Sequence, residues 1–282
     1  MIPRRRFLQT AAAALGLGAG ASLYTWRIEP HWLQLVHRAL PIAGLPPDWN
    51  GKTLVQLSDL HIGPQVDDRY LLRTFQRVRE WKPDVVVYTG DFTSHEAGIL
   101  DHARELFRHL PLGRLGTFGI LGNHDYGRQW SQADVADGIA ALAMEAGVRI
   151  LRNAWAEAGG FHVVGLDDLW AERMDLAAAF NGLPARASRI VLSHNPDTAD
   201  LPGWEGYSGW ILSGHTHGGQ CKPPFLPPPI LPVRNRRYTS GEFALTGERR
   251  VYISRGVGHL HRLRFNVRPE VTVFRMMEAS SP

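Results

Sequence analysis

The chain has 282 residues, 44% apolar and 21% charged, a composition that fits one large α/β domain or two small ones and excludes a disordered or fibrous chain. Net charge is +4, but Arg4, Arg5 and Arg6 supply three of it, so the basic balance is no argument for nucleic-acid binding and none is expected. The single cysteine, Cys221, rules out an intramolecular disulfide.

The first element reads as an address. Pro3-Arg4-Arg5-Arg6-Phe7-Leu8-Gln9 precedes an uncharged, Ala- and Gly-rich stretch from Thr10 to Trp26. A charged segment followed by a short apolar one is the layout of an export signal. The Arg-Arg-x-Phe-Leu order resembles a twin-arginine signal. Residues 1–26 are therefore expected to meet the twin-arginine export machinery, which carries proteins already folded. Ala19-Gly20-Ala21 offers a cleavage site before Ser22, which would leave the protein in the periplasm or cell envelope. Retention would instead make 7–26 an inner-membrane anchor, weakened by its glycines. A basic tail that addresses nothing is the plain alternative.

Residues 28–41 then read as an extended lead-in, and 45–51 as turn chemistry built on Pro46, Pro47 and Gly51. A strand is expected at 53–57. A helix follows at 67–80, with Leu71, Leu72, Phe75 and Val78 at helical spacing. Lys82-Pro83-Asp84 ends it before a strand at 85–89. Further expectations are a helix at 96–110, a strand at 117–121, an Ala-rich helix at 131–146 and short strands near 148–151 and 161–166. A strand at 189–193, a helical turn after Pro196 and a strand at 209–213 come next. Strands near 251–254 and 271–275 close the chain. Strands first alternate with helices and later cluster, which favours a two-sheet α/β sandwich, although periodicity does not separate this from one doubly wound sheet.

Five donor motifs sit at the ends of these strands. They are Asp59-Leu60-His61, Gly90-Asp91, Gly122-Asn123-His124-Asp125, Ser193-His194-Asn195 and Gly214-His215-Thr216-His217. Asp, Asn and His supply the oxygen and nitrogen donors that suit divalent ions. A donor just past a buried strand lies at the carboxyl edge of a sheet, where α/β proteins place their sites. A lone Asp there is usually a turn or cap residue, but five motifs with complementary donors point to a metal site.

This ordered set resembles the calcineurin-like metallophosphoesterase superfamily over most of the mature chain. The extended forms Ser58–Gly63, Gly214–Gln220 and Ser254–Gly258 resemble a bacterial exported or membrane-attached subgroup. Some members of that subgroup cleave the pyrophosphate of UDP-2,3-diacylglucosamine in lipid A synthesis. The resemblance implies a four-layer αββα sandwich of two mixed sheets flanked by helices, spanning 27–282. It implies two divalent ions (manganese, iron or zinc) and hydrolysis by a metal-bridging hydroxide. Asp91 would bridge the ions. Asp59, His61 and His217 would complete one, and Asn123, His194 and His215 the other. His124 would act outside the metal shell, gripping phosphate or protonating the leaving oxygen, with Asp125 orienting it by hydrogen bond. Ser94 stands where a purple-acid-phosphatase-like site needs Tyr, which disfavours that subfamily.

The remaining histidines, His31, His37, His95, His102, His109 and His162, read as ordinary surface or core groups, and His259-Leu260-His261 as a surface loop. Residues 206–241 lack carboxylates but carry Lys222, Arg234, Arg236 and Arg237; residues 251–269 repeat this with Arg255, Arg262, Arg264 and Arg268. Arg suits bidentate phosphate binding, so Arg255 and Arg237 are substrate-binding candidates; a solvated Arg face is the plain alternative. In the Pro-rich run 223–232, Phe225, Leu226, Ile230 and Leu231 are expected to line a pocket, touch a membrane surface or pack on the core. The expected function is a phosphoesterase acting on a phosphodiester or pyrophosphate in a lipid- or envelope-linked substrate. The alternative is a non-catalytic, metal-stabilised envelope binding protein, against which His124 and Asp125 speak.

Overall fold

A computed structural model describes residues 3–96, 98–204 and 206–279. The chain opens with helix α1 (Arg4–Leu23), passes through a π-helical turn (Tyr24–Ile28) and a 3-10 turn (Glu29–His31), and enters strand β1 (Gln34–Ile42). The extended lead-in therefore starts at Gln34 rather than 28. Glu29 is buried and its Oε1 accepts the Val267 N–H at 2.6 Å, which pins the preceding turn against the C-terminal part of the chain. Among the described residues no helix is long and apolar enough to cross a membrane.

After β1 come β2 (Thr53–Leu57), α2 (Asp68–Glu80), β3 (Val85–Thr89), α3 (Ile99–Phe107), β4 (Gly116–Ile120), α4 (Ala133–Glu145) and β5 (Arg149–Ile150). The second half contains β6 (Ala154–Ala158), β7 (Phe161–Gly165), α5 (Leu176–Phe180), β8 (Ser188–Leu192), β9 (Gly209–Ser213), β10 (Gly241–Ala244), β11 (Arg249–Ile253) and β12 (Glu270–Glu278). Two six-stranded sheets result, ordered β1-β12-β2-β3-β4-β5 and β10-β11-β9-β8-β7-β6. Both are mixed: β2 to β5 run parallel with β12 antiparallel to β2, while β7, β8, β9 and β11 run parallel with β6 and β10 antiparallel at the edges.

Side-chain alternation explains the layers. In β3, Val85 and Val87 face the second sheet, packing in one core with Phe118, Ile120, Phe161, Val163, Ile190, Leu192 and Leu212. Val86 and Tyr88 face outward and pack with Leu71, Phe75 and Val78 of α2, Leu106 of α3 and Ile139 of α4. Helix α2 begins cleanly because the Asp67 side chain accepts the Tyr70 N–H at 2.8 Å. The second sheet's outer face is covered by Leu176 and Ala179 of α5, Ala199 and the ring cluster of Trp204, Tyr207 and Tyr238. The αββα sandwich is thus present, with a thin fourth layer. Strands β6 and β10 and helix α5 were not anticipated. Ala154-Trp155-Ala156-Glu157-Ala158 has weak strand propensity, and α5 is scarcely more than one turn, too short for a periodic signal.

The two sheets meet closely at Gly165. A Cβ there would press into Leu151 and Ile120 across the central core. Gly165→Ala is expected to overpack this contact and cost about 1–3 kcal/mol, read as a lower urea midpoint at unchanged slope; an unaltered midpoint would show that the sheets have slack here.

Candidate metal centre

β2, β3, β4, β8 and β9 each hand the chain to one donor motif at the same edge of the sandwich. The handover is strained. Asp59, His61, Asp91, His215 and His217 all adopt positive φ, between 47° and 71°. Held non-glycine residues in this region cost of order 1–3 kcal/mol each, so their clustering at one edge marks a built site. Gly122 makes room for it, since a Cβ there would collide with Asp91 and the His194 ring.

Two groups of donors converge. Asp59, His61 and His217 form one, Asp91, His194 and His215 the other, with donor atoms within 4.8 Å of each other in each group. All six residues are buried. Asp91 Oδ2 lies 3.5 Å from His61 Nε2 and 3.2 Å from His194 Nε2, so this carboxylate stands between the groups. His61 Nε2 and His217 Nε2 are 3.0 Å apart, and His217 Nε2 is 3.3 Å from Asp59 Oδ1. His215 Nδ1 is 3.2 Å from His194 Nε2. Ring nitrogens this close need a proton or a cation between them.

Asn123 supplies an independent test of fit. It is fully buried, yet neither its amide oxygen nor its nitrogen has a hydrogen-bond partner among the described residues. An orphaned buried polar group costs about 1–3 kcal/mol. Its neighbour His124 donates its backbone N–H to Asp91 Oδ1 at 2.9 Å, which places Asn123 at the same cluster. An amide oxygen is a suitable ligand for a divalent ion, so the donor set fits two ions sharing Asp91.

The electrostatics agree. Burial holds His61 and His217 well below the ordinary imidazole range and pushes His215 down to about 3, so these rings are neutral and ready to coordinate. Burial likewise lifts Asp59 to about 6, against the pull of His194. Asp91 behaves differently: burial opposes its charge, but His194, His124 and His61 outweigh it and keep the carboxyl well below its usual range. Burial opposes charge on His194 too, yet Asp91 raises it to about 10. Without ions, Asp91 and His194 are therefore an ion pair.

The structure corrects the reading of Asp125. Its carboxylate accepts the backbone N–H groups of Gly122, Phe92 and Thr93 and the Thr93 hydroxyl, so it ties the β3 and β4 loops together and does not orient His124. The partner of His124 is His95, Nδ1 to Nδ1 at 3.3 Å, while the His124 ring stands edge-on to His61 at 5.1 Å. His95 is exposed, as expected of a surface group, and its contact with His124 is what the sequence does not show. His259, expected on a surface loop, is instead fully buried, its Nε2 2.9 Å from the Gln65 carbonyl; Gly258 N–H donates to the Asp59 carbonyl and turns the loop inward. His261 is exposed as expected. Arg255 is committed to Glu270 at 2.5 Å and to Gln34 at 3.3 Å, whereas the Arg237 side chain is exposed. Ser94 donates to the His61 carbonyl and so supports that loop.

Three further residues at the site escaped sequence reasoning. Asp168 is buried, its Oδ2 without a partner among the described residues, and burial pushes it up to about 6 with His194 opposing. Asp167-Asp168 follows strand β7 at the same edge, a signal of the kind that located the other donors. The Trp170 ring stands perpendicular to His215 at 4.3 Å and packs, tilted by 32°, against Trp130 at 4.6 Å. Arg264 is fully buried; its Nη2 donates to the carbonyls of Arg255 and Gly258 and lies 3.3 Å from His217 Nδ1. Nothing in its sequence neighbourhood separates it from the exposed arginines.

Because the His194 ring shares its proton with Asp91, a divalent ion that takes this nitrogen must displace the proton. Titrating metal-free protein with manganese at pH 8, between the Asp59 value of about 6 and the His194 value of about 10, is expected to release about one proton per chain. Calorimetry in buffers of different ionisation enthalpy measures this. A heat independent of buffer would show that His194 is not displaced.

The calcineurin-like phosphoesterase family matches residues 52–219. The chain is similar to the uncharacterized metallophosphoesterase YkuE of Bacillus subtilis (strain 168), 32% identical over 97% of each protein. It is similar to phosphodiesterase YaeI of Escherichia coli (strain K12), 33% identical over 98% of this chain and 100% of that one. It also resembles UDP-2,3-diacylglucosamine pyrophosphatase LpxG of Chlamydia muridarum, 27% identical over 91% of this chain and 94% of that one. The match spans all five donor motifs, and with it this chain belongs to the calcineurin-like phosphoesterase family of metal-dependent hydrolases.

Proposed function

We propose that this hydrolase uses two divalent ions to cleave a phosphodiester or diphosphate bond in a lipid- or envelope-linked substrate. The observation that carries the reading is the Asp91 carboxylate set between two convergent donor groups. In this reading Asp59, His61 and His217 hold one ion, Asn123, His194 and His215 the other, and Asp91 serves both. Bound ions acidify water and neutralise phosphoryl charge. The likeness to YaeI and LpxG supports a diester or diphosphate over a simple monoester, and UDP-2,3-diacylglucosamine is one substrate of this class.

The chain's own groups do the rest. His124 faces His95 through Nδ1, so one of the two nitrogens carries the proton and the other accepts it. That contact fixes the His124 ring and leaves its Nε2 for the substrate. Burial lowers the His124 pKa, with Asp91 opposing. Exposed Arg237 is the candidate phosphate clamp, and Arg255, held by Glu270, is a brace behind Gly218. Residues 1–26 are read as a twin-arginine-type address to the periplasm or inner membrane, and 27–282 as the catalytic domain.

Asp91→Asn is expected to abolish manganese-dependent turnover of bis-p-nitrophenyl phosphate and to lower metal content by at least one ion per chain, with the circular dichroism spectrum retained. A variant that keeps both ions would remove Asp91 from the bridge.

His124→Ala is expected to keep both ions yet slow turnover. If His124 protonates the leaving oxygen, an alkyl ester should lose about 10²–10⁴-fold, and a p-nitrophenyl ester, whose leaving group departs without a proton, much less. Equal losses would assign the ring to phosphate binding alone.

A further inference from the structure

Three segments that flank the site share one rim and one surface chemistry. The 261–265 loop is bonded to the end of the N-terminal helical segment, Arg264 N–H to the Thr25 carbonyl at 3.0 Å. The same loop pairs with the start of the Pro-rich run: Cys221 bridges Phe265, and Lys222 N–H donates to the Phe265 carbonyl at 2.9 Å. The run then returns to the metal centre, where the Pro232 carbonyl lies 2.8 Å from His215 Nε2. Leu231 turns inward and is buried, but Phe225 is fully exposed, Ile230 is 77% exposed and Leu226 59%. Leu23, Trp26 and Leu263 are exposed too and line a groove of about 630 Å³ with Phe265, the residue to which the start of the Pro-rich run is paired.

Phe225 is also held at φ 64°, a conformation that a bulky aromatic residue rarely adopts. No packing in the protein compensates it, because the ring touches solvent on all sides. The rim is cationic as well. Residues 3–28, 206–241 and 251–269 contain no carboxylate, while these segments carry Arg27, Lys222, Arg262 and Arg268. Arg27 stacks on Trp26 at 4.2 Å and Arg268 on Trp32 at 3.5 Å. Indoles, aliphatic tips and cations without anions form the pattern that sits at a lipid headgroup boundary.

We infer that this rim is a docking surface for an anionic phospholipid membrane, with Phe225, Leu226 and Ile230 entering the acyl boundary and the cations meeting the headgroups. Docked in this way, the Pro-rich run sets the metal centre at headgroup depth, where a lipid-linked phosphate would lie. That last consequence rests on the proposed function; the docking does not. The surface also survives cleavage before Ser22, because Leu23, Trp26 and Arg27 remain with the domain.

The test is flotation of the full chain with vesicles of phosphatidylcholine, alone and with phosphatidylglycerol, across a salt series. Binding is expected only to the anionic vesicles and should weaken as salt screens the cations. Phe225→Asp with Leu226→Asp should reduce partitioning at least about tenfold, with melting temperature and turnover of bis-p-nitrophenyl phosphate unchanged. Asp tolerates the left-handed conformation at 225. The inference is overturned if the wild-type chain ignores anionic vesicles, if the double variant binds them equally, or if light scattering shows a lipid-free dimer that the double variant dissolves. Vesicle binding without ester hydrolysis would overturn the proposed chemistry and leave this surface standing.

Discussion

A buried carboxylate that stays charged organises this molecule. Burial works against the charge of Asp91, as it does where it lifts Asp59 to about 6 and Asp125 to about 7. Asp91 remains an anion because protonated His194 pairs with it, with His124 and His61 close by. Those residues come from both sheets, so one charge links the loops after β2, β3, β4 and β8. Two cations sharing one carboxylate would hold the same edges together more strongly. The Asn123 amide, without a partner among the described residues, and the facing imidazole nitrogens fit that arrangement.

The supporting structure follows from keeping this edge in place. Five donor-motif residues occupy left-handed backbone conformations, and such strain persists only where surroundings over-determine it. Asp125 supplies part of that by accepting three backbone N–H groups from the neighbouring loops. Arg264 supplies another part, donating to carbonyls of the 255–258 loop while standing behind His217. Glu29 reaches from the N-terminal turn to the Val267 N–H, so the first element of the domain braces the last loop beside the site. The domain therefore closes at its ends around the same edge at which the donors meet.

The surroundings of the site divide by chemistry. On one side Trp170 stands edge-on to His215, with the tilted Trp130 ring packed against it. On another, His95 and His124 face each other above His61. Around the mouth run the exposed apolar tips and carboxylate-free cationic segments. A polar, buried reaction centre ringed by aromatic and cationic groups suits a substrate with a charged linkage and an apolar part, which is the class proposed here.

What the sequence determined by itself was the set of local signals that survive any packing. A β-branched run followed by Asp, Asn or His announces a strand and its terminal donor, and Val85-Val86-Val87-Tyr88 before Gly90-Asp91 reads without ambiguity as a buried strand feeding a site. The periodic helices α2 and α4 were legible for the same reason, and their bounds moved by only a residue or two. Partnership was not legible. Asp125 is adjacent to His124 in the chain yet bonds Phe92, Thr93 and Gly122, because the 3-10 turn at 123–126 points neighbouring side chains in different directions. His259 reads as a surface group, and the contact of exposed His95 with His124 goes unread, because burial and contact are set by which distant loops fold together; Arg264 resembles every other arginine until the chain closes over it. Spacing along the chain encodes elements and donors; the distance between a ring nitrogen and a carboxylate far away in sequence is decided only when two sheets pack face to face.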